Sequence, residues 1–473
     1  MIPKFIMMVG LVASGKSTKA QELAEEYDAT IFSSDALREE LYGNVNDQTH
    51  NQELFVELHK RIKGCLKSGK SAIMDATNLN YKRRMAFLAE IKDIPCKKIC
   101  VVMATPYKEC LKRNIERERK VSEDVIKKMY MNFQCPHYFE GWNDIQIIYK
   151  DFDEKPKFNR GSFESMARYK MKGFNQNNPH HLYDVYDHSK AIMFQYQVGD
   201  IRRQAAMLHD CMKKDAQTTD GDGISHYYRH ENMSAYYVLT HPNIVDCETF
   251  DIMLDILFHI TYHMIAHNIK TEKSINKYRG VFGEKLYESL MDFAEKDKVA
   301  SSEVIFNHSK QNIYIIKDKY TIGYTRLGDV FYIDNDDVKQ LLSYTWCIKN
   351  KKEHDFRLVS MTHGIMEFMH RVIMRVDDKN IVVDHINHKQ YDNTKKNLRL
   401  CSSMENSMNT SLSKNNTSGI NGVSQMKDGK YRAYINKNYK QVHLGCYDTL
   451  EEATEVRRKA SNEFYGEFAN LSI

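Results

Sequence analysis

Gly10-Leu11-Val12-Ala13-Ser14-Gly15-Lys16-Ser17 lies between an apolar run at residues 5–9 and a stretch of helical character at 18–27. Strand, glycine-rich turn, Gly-Lys-Ser and helix, in that order, make a phosphate-binding P-loop. The unpaired amides of the turn and of the helix N-terminus favour a polyphosphate. In this pattern Lys16 reaches the β- and γ-phosphates and the Ser17 hydroxyl holds Mg²⁺. Gly10, Gly15, Lys16, Ser17 and Thr18 are the expected ATP-binding residues.

Working outward, Ile31-Phe32-Ser33-Ser34-Asp35 reads as a strand end carrying an acid, with Arg38 three residues later. A second apolar strand, Ala72-Ile73-Met74, ends in Asp75, where a P-loop fold places its acid for the Mg²⁺ shell. A third strand from Lys98 to Met103 leads into a helix with Arg113 and Arg117, whose i,i+4 spacing predicts one shared face. Alternating strands and helices imply a parallel sheet covered on both sides, an α/β domain over residues 1–150. Lys82, Arg83 and Arg84 suggest an anionic acceptor.

The P-loop, Ser34-Asp35-x-x-Arg38, Asp75-Ala76-Thr77-Asn78-Leu79-Asn80 and Lys112-Arg113-Asn114-x-x-Arg117 together resemble the bacteriophage-type polynucleotide 5′-hydroxyl kinases. The resemblance implies that Asp35 is the general base toward a 5′-OH. It also implies that Arg38 contacts the acceptor phosphate and that Arg117, with Arg113, clamps the donor. A P-loop kinase of a small molecule is the alternative.

The 473 residues suit several domains, and a net charge of +5 confines any nucleic-acid surface to a local patch. No apolar run is long enough to span a bilayer and no signal peptide is evident, so a cytoplasmic location is expected, that of a host if the chain is phage-encoded. The ten cysteines fall in no metal-type pairs and are expected to be reduced. Turn-rich stretches at 151–165, 301–312 and 407–419 are the expected linkers.

Residues 160–305 have helical periodicity and a set of histidines: His188, the pair His209-Asp210, His230 and His263, with Asp297 near the end. Imidazole with carboxylate suits Mn, Fe, Co, Ni or Mg. Tyr183-Asp184-Val185-Tyr186-Asp187-His188 and Met207-Leu208-His209-Asp210 resemble the HD phosphohydrolase superfamily, an all-α fold. That resemblance implies a metal at His188, His209, Asp210 and Asp297, and a second at His230 and His263. His180, His181, His226, His259 and His267 read as structural or surface residues.

In residues 310–410, short strands and Trp346 precede His370-Arg371 and Val383-Asp384-His385. Asn397-Leu398-Arg399 and Glu405-Asn406 follow. An Asp-His pair on a strand, then Asn on a helix, can build a one-metal nuclease site. The set resembles phage homing endonucleases of the His-Asn-His class, a small α+β ββα-metal fold. The resemblance implies that Asp384 and Asn406 bind Mg²⁺ or Mn²⁺, that His385 is the general base, and that Asn397 orients its loop.

Residues 415–473 read as three strands and a helix opened by a capping box, Thr449 to Glu452. Strand alternation puts Arg432, Tyr434 and Asn436 on one face. Between Lys414 and Cys446 stand six Lys/Arg against one Asp. The pattern resembles the APETALA/ethylene-response DNA-binding domain, which implies a three-stranded sheet in the major groove.

The expectation is therefore a multidomain enzyme. It would pair ATP-dependent 5′-OH kinase activity with removal of a 3′-phosphate or 2′,3′-cyclic phosphate from DNA or RNA, and carry a site-specific DNA endonuclease. A homing endonuclease with an inactive front half is a second alternative. A nuclease placed behind a repair enzyme suggests an inserted reading frame, with the HD domain stopping shortly after Asp297.

Overall fold

The computed structural model describes residues 2–149, 162–174, 176, 184–221, 223–301, 304–307, 312–349, 356–362, 364–408, 416, 418–437 and 440–469. Most of the three expected linkers, with His180 and His181, lies outside the described residues. The chain divides into two compact units, Met1–Glu303 and Val304–Ile473.

The first unit opens with β1 (Lys4–Val9), α1 (Lys16–Tyr27), β2 (Ala29–Ser33), α2 (Ser34–Tyr42), α3 (Asn51–Lys67) and β3 (Ser71–Asp75). There follow α4 (Tyr81–Glu90), β4 (Lys97–Met103), α5 (Tyr107–Glu116), α6 (Glu123–Met131) and β5 (Asp144–Ile148). The five strands pair in the order β2-β3-β1-β4-β5, all parallel. Phe5 through Val9 are buried without a break, as a central strand covered on both faces must be. The order reverses at β1, so the P-loop emerges at the switch point where this class of sheet binds ligands.

Helices follow: α7 (Ser162–Met171), α8 (Val185–Met193), α9 (Arg202–Leu208) and α10 (Lys213–Ala216). After the two-residue strands β6 (Thr218–Thr219) and β7 (Ser225–His226) come α11 (His230–Thr240), α12 (Phe250–Ala266), α13 (Glu272–Phe282) and α14 (Glu284–Ala300). α12 is apolar almost all round, and its side chains from Phe258 to His263 are all buried, as for a helix at the centre of a bundle. The helical part is not a separate body. Tyr81, from the kinase-like part, shares one core with Phe258, Tyr262 and Phe282.

The second unit begins with β8 (Val304–Asn307), β9 (Asn312–Ile316), β10 (Thr321–Tyr324) and β11 (Val330–Ile333), an antiparallel sheet in the order β11-β10-β9-β8. Next come α15 (Val338–Leu341), β12 (Cys347–Lys349), β13 (Arg357–Thr362), β14 (Ile365–Phe368) and α16 (Met369–Met374). The pair β15 (Val382–His385) and β16 (Leu398–Cys401) precedes α17 (Ser403–Met408). Trp346 is buried at the core of this region, its indole N–H donating to the Leu341 carbonyl at 3.2 Å. The sheet β17 (Val423–Gln425), β18 (Tyr431–Lys437) and β19 (Lys440–Tyr447) then packs against α18 (Leu450–Tyr465). The expected capping box at Thr449 and Glu452 is formed.

Candidate functional site

The P-loop turns sharply into α1. Gly15 holds φ 93° at the N-cap, a left-handed conformation that suits glycine. A Cβ on Gly10 would lie 2.7 Å from Ser14 Oγ and 3.1 Å from Met103 Cβ, so the loop closes against β4 only with glycine there. Lys16 Nζ donates to the Leu11 carbonyl at 2.6 Å, and burial lowers its pKa to about 8. Ser17 Oγ donates to Asp75 Oδ2 at 2.7 Å, which unites the two residues expected at Mg²⁺. A hydroxyl and a carboxylate side by side at the foot of the loop suit that ion.

Asp35 stands in the first turn of α2, whose N-cap is Ser33. Its Oδ1 accepts from Arg38 Nη1 at 3.0 Å and its Oδ2 from Arg119 Nη1 at 2.7 Å. Arg38 is buried and also donates to Asn51 Oδ1 at 2.9 Å. Arg119 had no signal in the sequence, because its partner is brought to it by a loop.

Two expectations for this part change. Arg113 and Arg117 do not share a helical face: α5 ends at Glu116 and Arg117 is extended, while Arg113 Nε donates to Glu109 Oε1 at 2.7 Å. Arg117 instead lies near enough to Lys16 to repel its charge. Nor does Arg84 face an acceptor. It is buried and donates to both Glu140 oxygens, at 2.6 and 2.7 Å, and to the carbonyls of Asn78 and Gln134.

The histidines of the helical part converge. The ligand atoms of His188, His209 and Asp297 lie within 4.8 Å of one another, as do those of His209, Asp210 and His263, and all are buried. His230 Nε2 is 3.0 Å from Asp210 Oδ1 and 3.3 Å from His263 Nε2. Burial, then the neighbouring His209 and His230, pushes His263 well below its ordinary pKa. Imidazoles and buried carboxylates gathered this closely fit a divalent ion. Two partners were not anticipated. His267 Nε2 lies 2.8 Å from Asp297 Oδ2, and Lys213 Nζ lies 2.7 Å from Asp210 Oδ2. His259 is structural, as expected, bonded to the Asp255 carbonyl and Ser289 Oγ.

In the second unit, Asp384 and His385 end β15. Asp384 Oδ2 accepts from Arg399 Nη2 at 2.7 Å, and His385 Nε2 lies 3.2 Å from Asn393 Oδ1. Burial lowers the pKa of His385, and that of the adjacent His370 to about 3. Asn397 receives the Asn387 amide at 2.9 Å and donates to the Asp392 carbonyl at 2.7 Å, bracing the loop that follows His385. Asn406 lies on α17, which packs against β15 and β16. Asp384 is thus engaged by Arg399. On β18, Ala433 and Ile435 are buried while Arg432, Tyr434 and Asn436 turn the other way, and Arg432 donates to Gln441 Oε1 at 3.1 Å.

Comparison with known proteins finds relatives of two kinds. Residues 5–136 match the AAA domain family AAA_33. The N-terminal part is a P-loop kinase domain with a parallel sheet, which implies ATP and Mg²⁺. An L-seryl-tRNA(Sec) kinase of Methanococcus maripaludis is 29% identical over 159 residues, 33% of this chain and 61% of that protein. An uncharacterized HNH endonuclease of Acanthamoeba polyphaga mimivirus is 36% identical over 89 residues, 19% of this chain and 46% of that protein. The chain thus spans less than two thirds of the length of either. Protein 3.8 of Escherichia phage T7 is 34% identical over 94 residues, 20% of this chain and 77% of that protein. Through that segment the chain belongs to the protein 3.8 family. Kinase and endonuclease similarity in one chain is consistent with a kinase–nuclease fusion. No helix among the described residues is long and apolar enough to cross a membrane.

Proposed function

We propose that residues 1–150 form an ATP-dependent polynucleotide 5′-hydroxyl kinase. We propose that residues 160–305 form an HD phosphohydrolase acting on a 3′-phosphate or 2′,3′-cyclic phosphate. Residues 310–410 are a His-Asn-His endonuclease and 415–473 its DNA-binding module of APETALA/ethylene-response type. The observation that carries the first reading is Asp35, held by the buried Arg38 beside the P-loop. Ser34 Oγ donates to the Asp75 carbonyl at 3.5 Å, so the segments carrying Asp35 and Asp75 lie side by side. The seryl-tRNA(Sec) kinase is by its name a kinase of an RNA-linked acceptor, which favours a polynucleotide over a small molecule.

Asp35 takes the proton of the attacking 5′-OH. Arg38 orients that carboxylate and meets the acceptor phosphate, while Lys16 and Arg117, with Arg113, hold the donor phosphates. Phosphoryl transfer needs little more than such positioning and charge neutralisation. Ser17 and Asp75 would hold Mg²⁺, which neutralises charge on the β- and γ-oxygens.

In the helical part His188, His209, Asp210 and Asp297 would hold a divalent ion, with His230 and His263 beside them for a second. Such an ion lowers the pKa of bound water and polarises a phosphoryl oxygen. His267 and Lys213 bond to the two carboxylates and orient them. In the nuclease, the lowered pKa of His385 leaves its imidazole neutral near pH 7, the form a general base requires.

End-group analysis of one labelled 5′-OH, 3′-phosphate oligonucleotide with ATP and Mn²⁺ or Ni²⁺ tests the front half. Lys16→Ala and Asp35→Ala should each abolish 5′-phosphorylation, and His209→Ala should abolish loss of the 3′-phosphate. Full 5′-phosphorylation by Asp35→Ala would reject the kinase site. Nicking of DNA lost in His385→Ala tests the nuclease.

A further inference from the structure

Both Asp35 oxygens are taken up by guanidinium groups, which is an odd arrangement for a carboxylate expected to receive a proton. The two arginines differ in kind. Arg38 is buried on the helix that carries Asp35, fixed by Asn51 Oδ1 and the Ser34 carbonyl. Arg119 comes from outside, on the loop between α5 and α6, and its side chain is 29% exposed. It spends all three nitrogens on the acceptor side: Nη1 on Asp35 Oδ2, Nε on Asn46 Oδ1 at 3.0 Å, and Nη2 on the Val45 carbonyl at 3.1 Å.

The loop holding Arg119 is closed on itself. Asn114 Nδ2 donates to the Val121 carbonyl at 2.8 Å and the Val121 amide donates to Asn114 Oδ1 at 3.1 Å. One braced loop therefore presents Arg117, whose charge is felt at Lys16, and Arg119, which reaches Asp35.

We infer that Arg119 is an acceptor-specificity residue that recognises a phosphate on the acceptor nucleotide; this rests on the polynucleotide-kinase reading of Asp35. An incoming 5′-OH must approach an Asp35 oxygen, and Oδ2 is the one held by the more exposed arginine. Releasing it takes an anion from Arg119. An acceptor carrying a phosphate beside its ribose supplies another anion at the same place, and an uncharged nucleoside does not. Exchange of one anion for another is nearly balanced, whereas loss without replacement is not. The chain accordingly prefers a nucleoside 3′-phosphate or an oligonucleotide to a free nucleoside, and Arg119 carries part of that preference.

The experiment measures phosphoryl transfer from ATP by the full chain to a nucleoside 3′-phosphate and to the matching nucleoside. Arg119→Ala should lower kcat/KM for the phosphorylated acceptor by about tenfold, chiefly through KM, as for loss of one charge-assisted contact. The nucleoside should be used as well as before or better, and KM for ATP should not move. Arg119→Lys, which keeps the charge without the planar fork, should recover part of the preference. Equal losses on both acceptors, or no change on either, would overturn the assignment of Arg119 alone. Failure of the unaltered chain to phosphorylate either acceptor would overturn the kinase reading together with it.

Discussion

At the scale of single residues, Lys16 and the buried histidine cluster carry the sharpest consequences. Burial lowers the Lys16 pKa from 10.5 to about 8, against the opposing pull of Asp75. The unfolded chain therefore binds more protons than the folded one between these values, and this residue's burial cost is full below pH 8 and relieved as pH rises toward 10.5. Nucleotide has the opposite preference, since phosphates favour the ammonium form. ATP affinity should then fall as pH rises above 8, by at most about tenfold per pH unit, with a proton taken up on binding. Calorimetry in buffers of different ionisation enthalpy measures that proton, and an affinity flat from pH 7 to 9.5 would contradict the burial argument. The histidine cluster makes a separate prediction. A divalent ion at a hundredfold its Kd stabilises the folded state by about 2.7 kcal/mol, so Mn²⁺ or Ni²⁺ should raise the melting temperature of the first unit by several degrees. EDTA should reverse the shift and His209→Ala should remove it; an unaltered shift in that variant would place the ion elsewhere.

At the scale of elements, the Arg84–Glu140 pair ties α4 to the segment ahead of β5. Both side chains are fully buried, and Glu140 also accepts from the Trp142 indole at 3.0 Å. Removing one member leaves the other charged and unpaired inside the protein. Arg84→Ala should therefore cost about 3–5 kcal/mol, while the adjacent exposed Arg83→Ala should stay within about 0.5 kcal/mol. Denaturant melts of the two variants settle the comparison, and equal costs would contradict the stabilising role of the buried pair. The same pair shows where the sequence was readable. The P-loop, Ser17 with Asp75, and Asp35 with Arg38 were legible because motif spacing fixes them locally, although Asp35 stands in the first turn of α2 and not at the strand end the sequence suggested. So was the capping box of α18, which depends on residues three apart. Arg84 was misread because neighbouring arginines look alike until burial separates them. Arg119, Lys213 and His267 were missed or set aside because each acts at the end of a tertiary contact: on Asp35, Asp210 and Asp297. The end of α5 at Glu116, which parts Arg113 from Arg117, is a boundary that no local propensity in Glu-Arg-Glu-Arg-Lys sets.

At the scale of the whole molecule, the division of Met1–Glu303 from Val304–Ile473 matches the change from kinase and helices to nuclease-like strands. Within the first unit the kinase and helical parts, read from the sequence as successive domains, share their interior. α11, α12 and α13 supply the contacts. Tyr236 OH donates to the Thr105 carbonyl at 2.6 Å, and Thr105 Oγ1 donates to the Ser14 carbonyl of the P-loop at 2.9 Å. Asn232 Nδ2 reaches the Met131 carbonyl and Tyr130 OH the Met233 carbonyl. Rings pack across the same boundary: Phe133 on Tyr236 at 4.7 Å, Phe139 on Phe282 at 4.9 Å, and Tyr81 on Tyr262 at 5.5 Å. Buried aromatic side chains are each worth about 1.5–3 kcal/mol in removed apolar surface, so exposing this set would cost a kinase fragment much of an ordinary domain's stability of about 5–15 kcal/mol. A fragment of residues 1–150 should therefore aggregate or melt far below the intact chain, whereas residues 1–303 should unfold in a single calorimetric transition. Tyr236→Phe, which removes one buried hydrogen bond while keeping the ring, should lower the stability of that transition by about 1 kcal/mol and leave it single. Two separated transitions for residues 1–303, the kinase part melting independently of the metal-responsive helices, would show that the shared interior does not couple them.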